Sequence, residues 1–214
     1  DWAAKNNIRK VVTLVSDYAP GADAEKSFSE RFVRGGGTVV AALKVPLAAP
    51  DFSPVLQRAS DAQPDALFVF VPSGQGGSFV KQFIERGLDK AGIKLIGPGD
   101  VTDDDQLNGM GDQVIGAVTA HMYSASHPSA ANKTFVDAFK KANGNMRPNF
   151  MAVGGYDGMH LIYEALRKTS GATDGDVLIA AMKGMAWESP RGPISIDPET
   201  RDIVQNIYIR RVEK

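Results

Sequence analysis

The chain has 214 residues, 43% of them hydrophobic and 23% charged, which is ordinary globular material and enough for one large domain or two small ones. Lys and Arg total 24 against 25 Asp and Glu, a net charge of −1, so no basic stripe tracks phosphates, and no apolar run approaches the ~20 residues that span a bilayer. Cysteine is absent, which excludes disulfides, thiolate metal sites and cysteine nucleophiles.

The hydrophobic period alternates between 2 and 3.6 along the first 123 residues. "VVTLV" (11–15) predicts a buried strand; Ala24, Phe28 and Phe32 then recur every four residues, and "GGG" (35–37) ends that helix. "TVVAALKV" (38–45) predicts the next strand. Ser53 followed by Pro54 predicts an N-cap and first helical residue, opening a short helix to about Ala62. "DALFVFV" (65–71) is the strongest strand signal. Phe79, Val80, Phe83 and Ile84 give the following helix one apolar face, closed by Gly87. "IKLIG" (93–97) predicts a strand, "DDDQLNGM" (103–110) a short helix, and "VIGAVTAHMY" (114–123) a fifth strand. Continuous apolar strands alternating with amphipathic helices predict a parallel sheet covered on both faces.

After Tyr123 the pattern changes. Three helices follow in a row: one on "NKTFVDAFKKANG", one on "FMAVGGYDGMHLIYEALRKTSG", and one on "GDVLIAAMKGM", which Asp174 caps. Each has an apolar face to bury, with no strand predicted among them. The last stretch, "GPISIDPETRDIVQNIYIRRV", predicts two strands joined by the turn "DPET". The opening "DWAAKNNIRK" has the pattern of a helix tail, and the helices within 132–184 lack a sheet to cover. Both features lead to the expectation that about one lobe's worth of chain precedes Asp1. On that expectation Phe135, Phe139, Met159 and Tyr163 lie partly uncovered or are covered by another chain.

The order and spacing of "VVTLVSDYAPGADAEKSF", "PDALFVFVPSGQGGSFVKQFIERG", "KLIGPGDVTDDDQLNGMGDQVIGAVTAHMYS", "AVGGYDGMHLIYEAL" and "ESPRGPISIDPET" resemble the periplasmic solute-binding proteins of the branched-chain amino acid transport family. The resemblance covers nearly all of the chain but begins partway into such a protein. It implies an α/β fold of the type I periplasmic-binding-protein class, a receptor of an ATP-driven importer that closes two lobes on a small solute. Residues 1–122 would form the core of the second lobe. Residues 123–192 would carry hinge segments (123–128 and 188–193) and helices covering the first lobe, and residues 193–214 would return to the second lobe. Its partners would be a small amino acid or carboxylic acid with an aromatic or branched apolar part, and the membrane permease of the transporter, in the periplasm. Nucleic acid, cofactor and membrane insertion are not expected.

In a parallel sheet the carboxyl ends of all strands share one edge, the usual place for a ligand. Four loops fall there: 16–21, 46–52, 72–77 and 98–104. Tyr18 either stacks on a ligand or covers the end of the sheet. The "PSGQGG" loop (72–77) either offers backbone N–H groups and the side chains of Ser73 and Gln75 to a carboxylate, or is a flexible connection. It lacks the lysine of a nucleotide-binding loop. Asp100 follows "GPG". Relatives that bind amino acids carry an acidic residue in this loop for the ligand's ammonium, and Asp100 lies one residue beyond the nearest matching position, Gly99. Tyr18, Ser73, Gln75 and Asp100 are thus the candidate ligand-binding residues.

"DDD" (103–105) lacks the spacing of a calcium loop, and acidic residues at a helix start complement its dipole. His121, His127 and His160 show neither metal spacing nor a catalytic partner order, and Asp157 either contacts the hinge or cleft rim or has a capping or surface role. With no nucleophile elbow, phosphate loop or acid–base pair, an α/β enzyme ranks below a receptor. A cytoplasmic amide or amino acid sensor of the same fold is the other alternative.

Overall fold

The computed structural model describes all residues, 1–214. In chain order the elements are α1 (Trp2–Lys5), β1 (Lys10–Ser16), α2 (Ala19–Arg34), β2 (Thr38–Val45), α3 (Ser53–Asp61), β3 (Ala66–Phe70), α4 (Gly76–Glu85), β4 (Lys94–Pro98) and β5 (Val118–His121). There follow α5 (Ala130–Ala142), α6 (Phe150–Lys168), α7 (Gly175–Met182), β6 (Ala186–Ser189), β7 (Gly192–Ile196), β8 (Ile203–Val204) and β9 (Tyr208–Arg211). The chain divides into two compact units, Asp1–Ala120 with Ile209–Lys214, and His121–Tyr208.

The first unit is built on a six-stranded sheet in the order β2-β1-β3-β4-β5-β9. β1 pairs in parallel with both β2 and β3, β3 with β4, and β4 with β5. Side chains alternate across the strands, and both faces are apolar. Val12, Leu14, Leu67 and Val69 pack with Phe52, Leu56, Phe79, Val80 and Phe83 from the α3 and α4 side. Val11, Val15, Ala66, Phe68 and Ile96 pack on the opposite face with Ala3, Phe32 and, partly buried, Phe28 from α1 and α2. Leu14, Leu56 and Phe79 are fully buried. Each contributes about 1.5–3 kcal/mol relative to an exposed position. This two-faced burial is what produces the near-continuous hydrophobic runs of the sequence.

Local differences from expectation have local causes. Ser53 is the first helical residue of α3 rather than its cap; Phe52 is the N-cap, and the Ser53 N–H donates to Asp51 Oδ1 at 3.0 Å. The helix predicted at 103–110 is instead a set of 3-10 turns at Gly99–Thr102, Leu107–Met110 and Asp112–Val114. Extended backbone at Asp103 and the positive φ of Gly111 interrupt a continuous helix. The fifth strand is shorter than residues 114–123, since Gly116, at φ 93°, turns the chain just before it.

The second unit carries the three consecutive helices, each capped by a polar side chain at its start, of which only Asp174 was predicted. Ser129 Oγ accepts from Asn132 N–H, Asn149 Oδ1 from Met151 and Ala152 N–H, and Asp174 Oδ1 from Val177 N–H. Its small core gathers Tyr123, Phe135 and Val153. A three-stranded antiparallel sheet, β6-β7-β8, accompanies the helices. β6, on "AWES", was missed because a four-residue strand with one buried position has too little period to register.

The assignment of residues 193–214 as one return to the first sheet is corrected. β7 and β8 pair with each other and with β6 in the second unit, and β9 alone reaches the six-stranded sheet. The turn itself explains this. Asp197 Oδ1 accepts from both Glu199 and Thr200 N–H, folding β8 straight back onto β7, so the chain leaves only after β8.

Of the four residues expected to lie uncovered, Phe135 is buried and Phe139 half-buried within the small core. Met159 and Tyr163 are exposed, with Tyr156 and Ile162 also on α6 and Val177 and Ile179 on α7.

Candidate functional site

The carboxyl ends of β1, β2, β3 and β4 lie side by side because their pairings are parallel and in register, Val15 opposite both Lys44 and Phe70. Tyr18 follows β1 as the N-cap of α2, in extended backbone, with no hydrogen bond from its side chain to the helix start. Its ring is therefore not needed as a cap. It stacks on Phe70, the last residue of β3, at a centroid distance of 6.2 Å and an interplanar angle of 17°. The tight entry to α2 requires glycine at position 21, where a Cβ would stand 2.0 Å from the Ser16 carbonyl oxygen. Asp100 lies in the first 3-10 turn after β4. Burial raises the Tyr18 hydroxyl above its ordinary pKa, and the negative charge of Asp100 adds to the rise, so the two groups share one neighbourhood. Burial also raises the Asp100 carboxyl, opposed by a hydrogen bond within its own turn and by the positive field of Arg210.

Ser73 and Gln75 occupy the β3–α4 loop, with their donors directed at neighbouring loops. Ser73 Oγ donates to Asp103 Oδ2 at 2.5 Å, and Gln75 Nε2 donates to the Leu47 carbonyl at 2.8 Å. Gln75 Oε1 is buried without a hydrogen-bond partner. This loop fits tightly against the turn that carries Asp100. A Cβ at Gly76 would lie 2.2 Å from the Val101 carbonyl oxygen. The four predicted residues are thus placed on one sheet edge. Tyr18 stacks on Phe70 and feels the charge of Asp100, while Ser73 and Gln75 hold neighbouring loops to one another.

Sequence reasoning missed Phe70, Asp103 and Arg210. Phe70 had a signal, since the alternation of "LFVF" puts it on the same side as Phe68 at the strand's end. Arg210 had none, because it comes from β9, more than a hundred residues away from its partners. It donates to the Thr102 carbonyl at 2.9 Å and stands 3.7 Å from Asp104. Two larger cavities of this unit, of about 390 and 460 Å³, lie elsewhere, and neither is lined by Tyr18, Ser73, Gln75 or Asp100.

Burial is the main cause pushing the Asp103 carboxyl up to about 6, against the lowering effect of the Ser73 hydrogen bond; the charges of Asp105 and Asp104 add to the rise. Between pH 4 and 6 the folded protein then holds a proton that the unfolded chain, at its ordinary 3.8, has released. Stability should fall as pH rises through that interval and level off above it. Asp103→Asn keeps an acceptor for Ser73 and should abolish this slope, gaining about 1–3 kcal/mol at pH 7.5 relative to the parent and little at pH 4. Denaturant unfolding of both proteins at pH 4, 5, 6 and 7.5 checks this; superimposable pH profiles would count against it.

No group of three or more His, Asp or Glu side chains is placed to hold a metal ion. His121 meets the Phe150 ring edge-on at 4.8 Å, His127 Nδ1 lies 3.1 Å from Ser129 Oγ, and His160 lies 5.2 Å from the Trp187 ring. Asp157 belongs to the second unit. Its Oδ2 accepts from Arg191 Nε at 2.8 Å and from Ser189 Oγ at 2.9 Å, and its Oδ1 from Trp187 Nε1 at 3.4 Å.

A parallel sheet with clustered aromatic and carboxylate side chains at its carboxyl edge, followed by helices belonging to a separate unit, is the architecture of a two-lobe binding protein. The periplasmic binding protein family profile matches residues 1–214, and the chain belongs to that family. The Leu/Ile/Val-binding protein homolog 6 of Brucella abortus is 45% identical over 214 residues, covering 99% of this chain and 55% of that protein. Among solved structures, a solute binding protein of an ABC transporter from Rhodopseudomonas palustris BisB5, in complex with 3,4-dihydroxybenzoic acid, is 74% identical with a TM-score of 0.97. It is matched by all of this chain over 59% of its own length. A second R. palustris solute binding protein, in complex with 4-hydroxybenzoate, is 43% identical with a TM-score of 0.94, over 100% of this chain and 58% of that one. The chain therefore spans a little over half the length of these relatives.

Proposed function

We propose that the whole protein is the solute-binding receptor of an ABC importer, and that its solute is a small carboxylic acid with an aromatic ring. Tyr18, Ser73, Gln75 and Asp100 belong to the half of the site carried by the first unit. The observation that carries the reading is the stacked Tyr18–Phe70 pair at the carboxyl edge of a parallel sheet, a flat apolar wall on the edge whose loops also carry Asp100. The hydroxybenzoate complexes of two similar proteins support the same class of ligand. Binding, without chemistry on the solute, is the activity, and a permease in the membrane is the partner that receives the closed form. The periplasm is the compartment that fits this role.

In the whole protein, residues 1–122 with β9 form the core of one lobe, and residues 123–207 supply hinge segments and the helices of the other. The exposed Tyr156, Met159 and Tyr163 of α6 are the support for this, since contiguous apolar surface is normally covered. Titration calorimetry of the whole protein with 4-hydroxybenzoate, 3,4-dihydroxybenzoate and leucine tests the ligand class. The aromatic acids should bind with micromolar or tighter affinity, and leucine at least tenfold more weakly. A preference for leucine would replace the aromatic acid by an amino acid whose ammonium meets Asp100. Binding of none of the three would overturn the reading.

A further inference from the structure

We propose that Arg191 is a positioning residue for solute capture: it anchors the chain at both borders of the second unit, so that lobe closure bends the chain only at the junctions 120–121 and 208–209. The inference rests on the receptor reading above and adds the residues that set how freely the lobes move before a solute arrives.

Four stretches remote in sequence meet at this side chain. The second unit runs from His121 to Tyr208, so Met122 follows its entry, and Gln205 and Tyr208 stand at its exit. Arg191 touches all three. Its Nη1 donates to Gln205 Oε1 at 2.9 Å and lies 3.0 Å from Met122 Sδ, and its carbonyl accepts from the Tyr208 hydroxyl at 2.7 Å. The guanidinium is itself held from α6, where Nε donates to Asp157 Oδ2 at 2.8 Å. Ser189 Oγ donates to the same carboxylate oxygen at 2.9 Å and accepts from the Arg191 backbone N–H at 3.2 Å, which fixes the turn between β6 and β7. A guanidinium is a planar fork of N–H donors, so holding Nε on one carboxylate also fixes the direction of Nη1.

Entry and exit also meet each other. The His127 ring lies 5.2 Å from the Tyr208 ring. Gly192 makes room for the Tyr208 hydroxyl: its φ is 93°, and a Cβ there would stand 2.5 Å from that oxygen. The apolar core of the unit, around Tyr123, Phe135 and Val153, contains neither Gln205 nor Tyr208. Their bonds to Arg191 therefore tie down the exit rather than build that core. A segment tied up to its junction leaves only a few backbone angles to absorb bending. Fewer open conformations mean a smaller ordering cost when a solute closes the lobes, and so tighter binding for the same solute contacts.

The test uses the whole protein with spin labels on exposed positions of each unit, at Lys26→Cys in α2 and Lys141→Cys in α5, on a cysteine-free background. The variant Gln205→Met/Tyr208→Phe removes both exit contacts and leaves the Asp157–Arg191 pair in place. Without solute, its distribution of inter-label distances should be clearly broader than that of the parent. Its affinity should fall about three- to tenfold, and by the same factor for 4-hydroxybenzoate and benzoate, because the lost contacts touch neither acid. Met122→Leu keeps the volume and removes the sulfur contact at the entry, and should broaden the distribution as well. An unchanged distribution in a folded exit variant would overturn the inference; should that variant not fold, an unchanged distribution in Met122→Leu overturns it. An affinity loss that differs between the two acids would place these residues against the solute and overturn the positioning role. Wild-type protein that binds neither acid would overturn the receptor reading, and the solute-free distances would still decide whether Arg191 holds the junctions.

Discussion

Replacing Asp157 by alanine should cost the second unit about 3–5 kcal/mol, the amount expected when one member of a buried ion pair is removed and the other is left uncompensated. Asp157 and Arg191 have side chains only 4% and 7% exposed, 2.8 Å apart. Arg191 is also bound beyond its carboxylate. Its Nη1 donates to Gln205 Oε1 at 2.9 Å and lies 3.0 Å from Met122 Sδ, and its carbonyl accepts from the Tyr208 hydroxyl at 2.7 Å. Met122 and Tyr208 stand at the two ends of the unit, next to the points where the chain enters and leaves it. Losing Asp157 therefore strands a guanidinium that orders both ends. Hydrogen exchange of α6 and of residues 186–192 in the whole protein should show protection lowered by at least a hundredfold, equivalent to about 2.7 kcal/mol or more. The double variant Asp157→Ala/Arg191→Met should recover much of the loss, because no unpaired charge remains. Protection that changes by less than about 1 kcal/mol in the single variant would show that the pair contributes little.

The same cluster illustrates what a linear sequence conceals. Asp157 falls on a helix whose other residues have clear periodicity, and from sequence it could be placed at a hinge, a cleft rim, a cap or the surface. Its partners come from a strand of four residues and the turn after it, and their approach depends on how β6 and β7 pair. Arg210 is a parallel case, with all its partners set by the attachment of β9 to β5. By contrast, the five parallel strands of the first unit were legible because burial on both faces leaves no room for polar residues, so each strand is written as an apolar run. The cap at Asp174 was legible because a capping side chain acts within three residues. The loops after β4 were less so. Local preference there is divided between helix and turn, and the outcome depends on Gly76 packing against Val101. The candidate residues were nominated by topology, since parallel pairing fixes which loops share an edge. What each side chain does was not fixed by it. Ser73 and Gln75 turn toward neighbouring loops, whereas Tyr18 stacks on Phe70.

Replacing Tyr18 by alanine should weaken binding of a hydroxybenzoate by about 1–3 kcal/mol, roughly 5- to 150-fold, with little change in stability. The two effects separate because of where the residue sits. Tyr18 is the N-cap of α2 but makes no side-chain cap, and Pro20 and the close approach of Gly21 to Ser16 fix the helix entry without it. The ring is half-buried, stacked on Phe70 at the end of β3. Truncation would remove one flat wall of the site and leave Phe70 with its outer face in water. Tyr18→Phe separates ring from hydroxyl. If apolar contact dominates, phenylalanine should retain affinity within about threefold while alanine loses it. If phenylalanine loses as much as alanine, the hydroxyl rather than the ring is the group that the ligand meets. Calorimetry of both variants in the whole protein, with thermal unfolding measured alongside, distinguishes these cases. Alanine and wild-type proteins with equal affinity for a confirmed aromatic acid would remove Tyr18 from the site, and with it the stack on which the choice of an aromatic ligand depends.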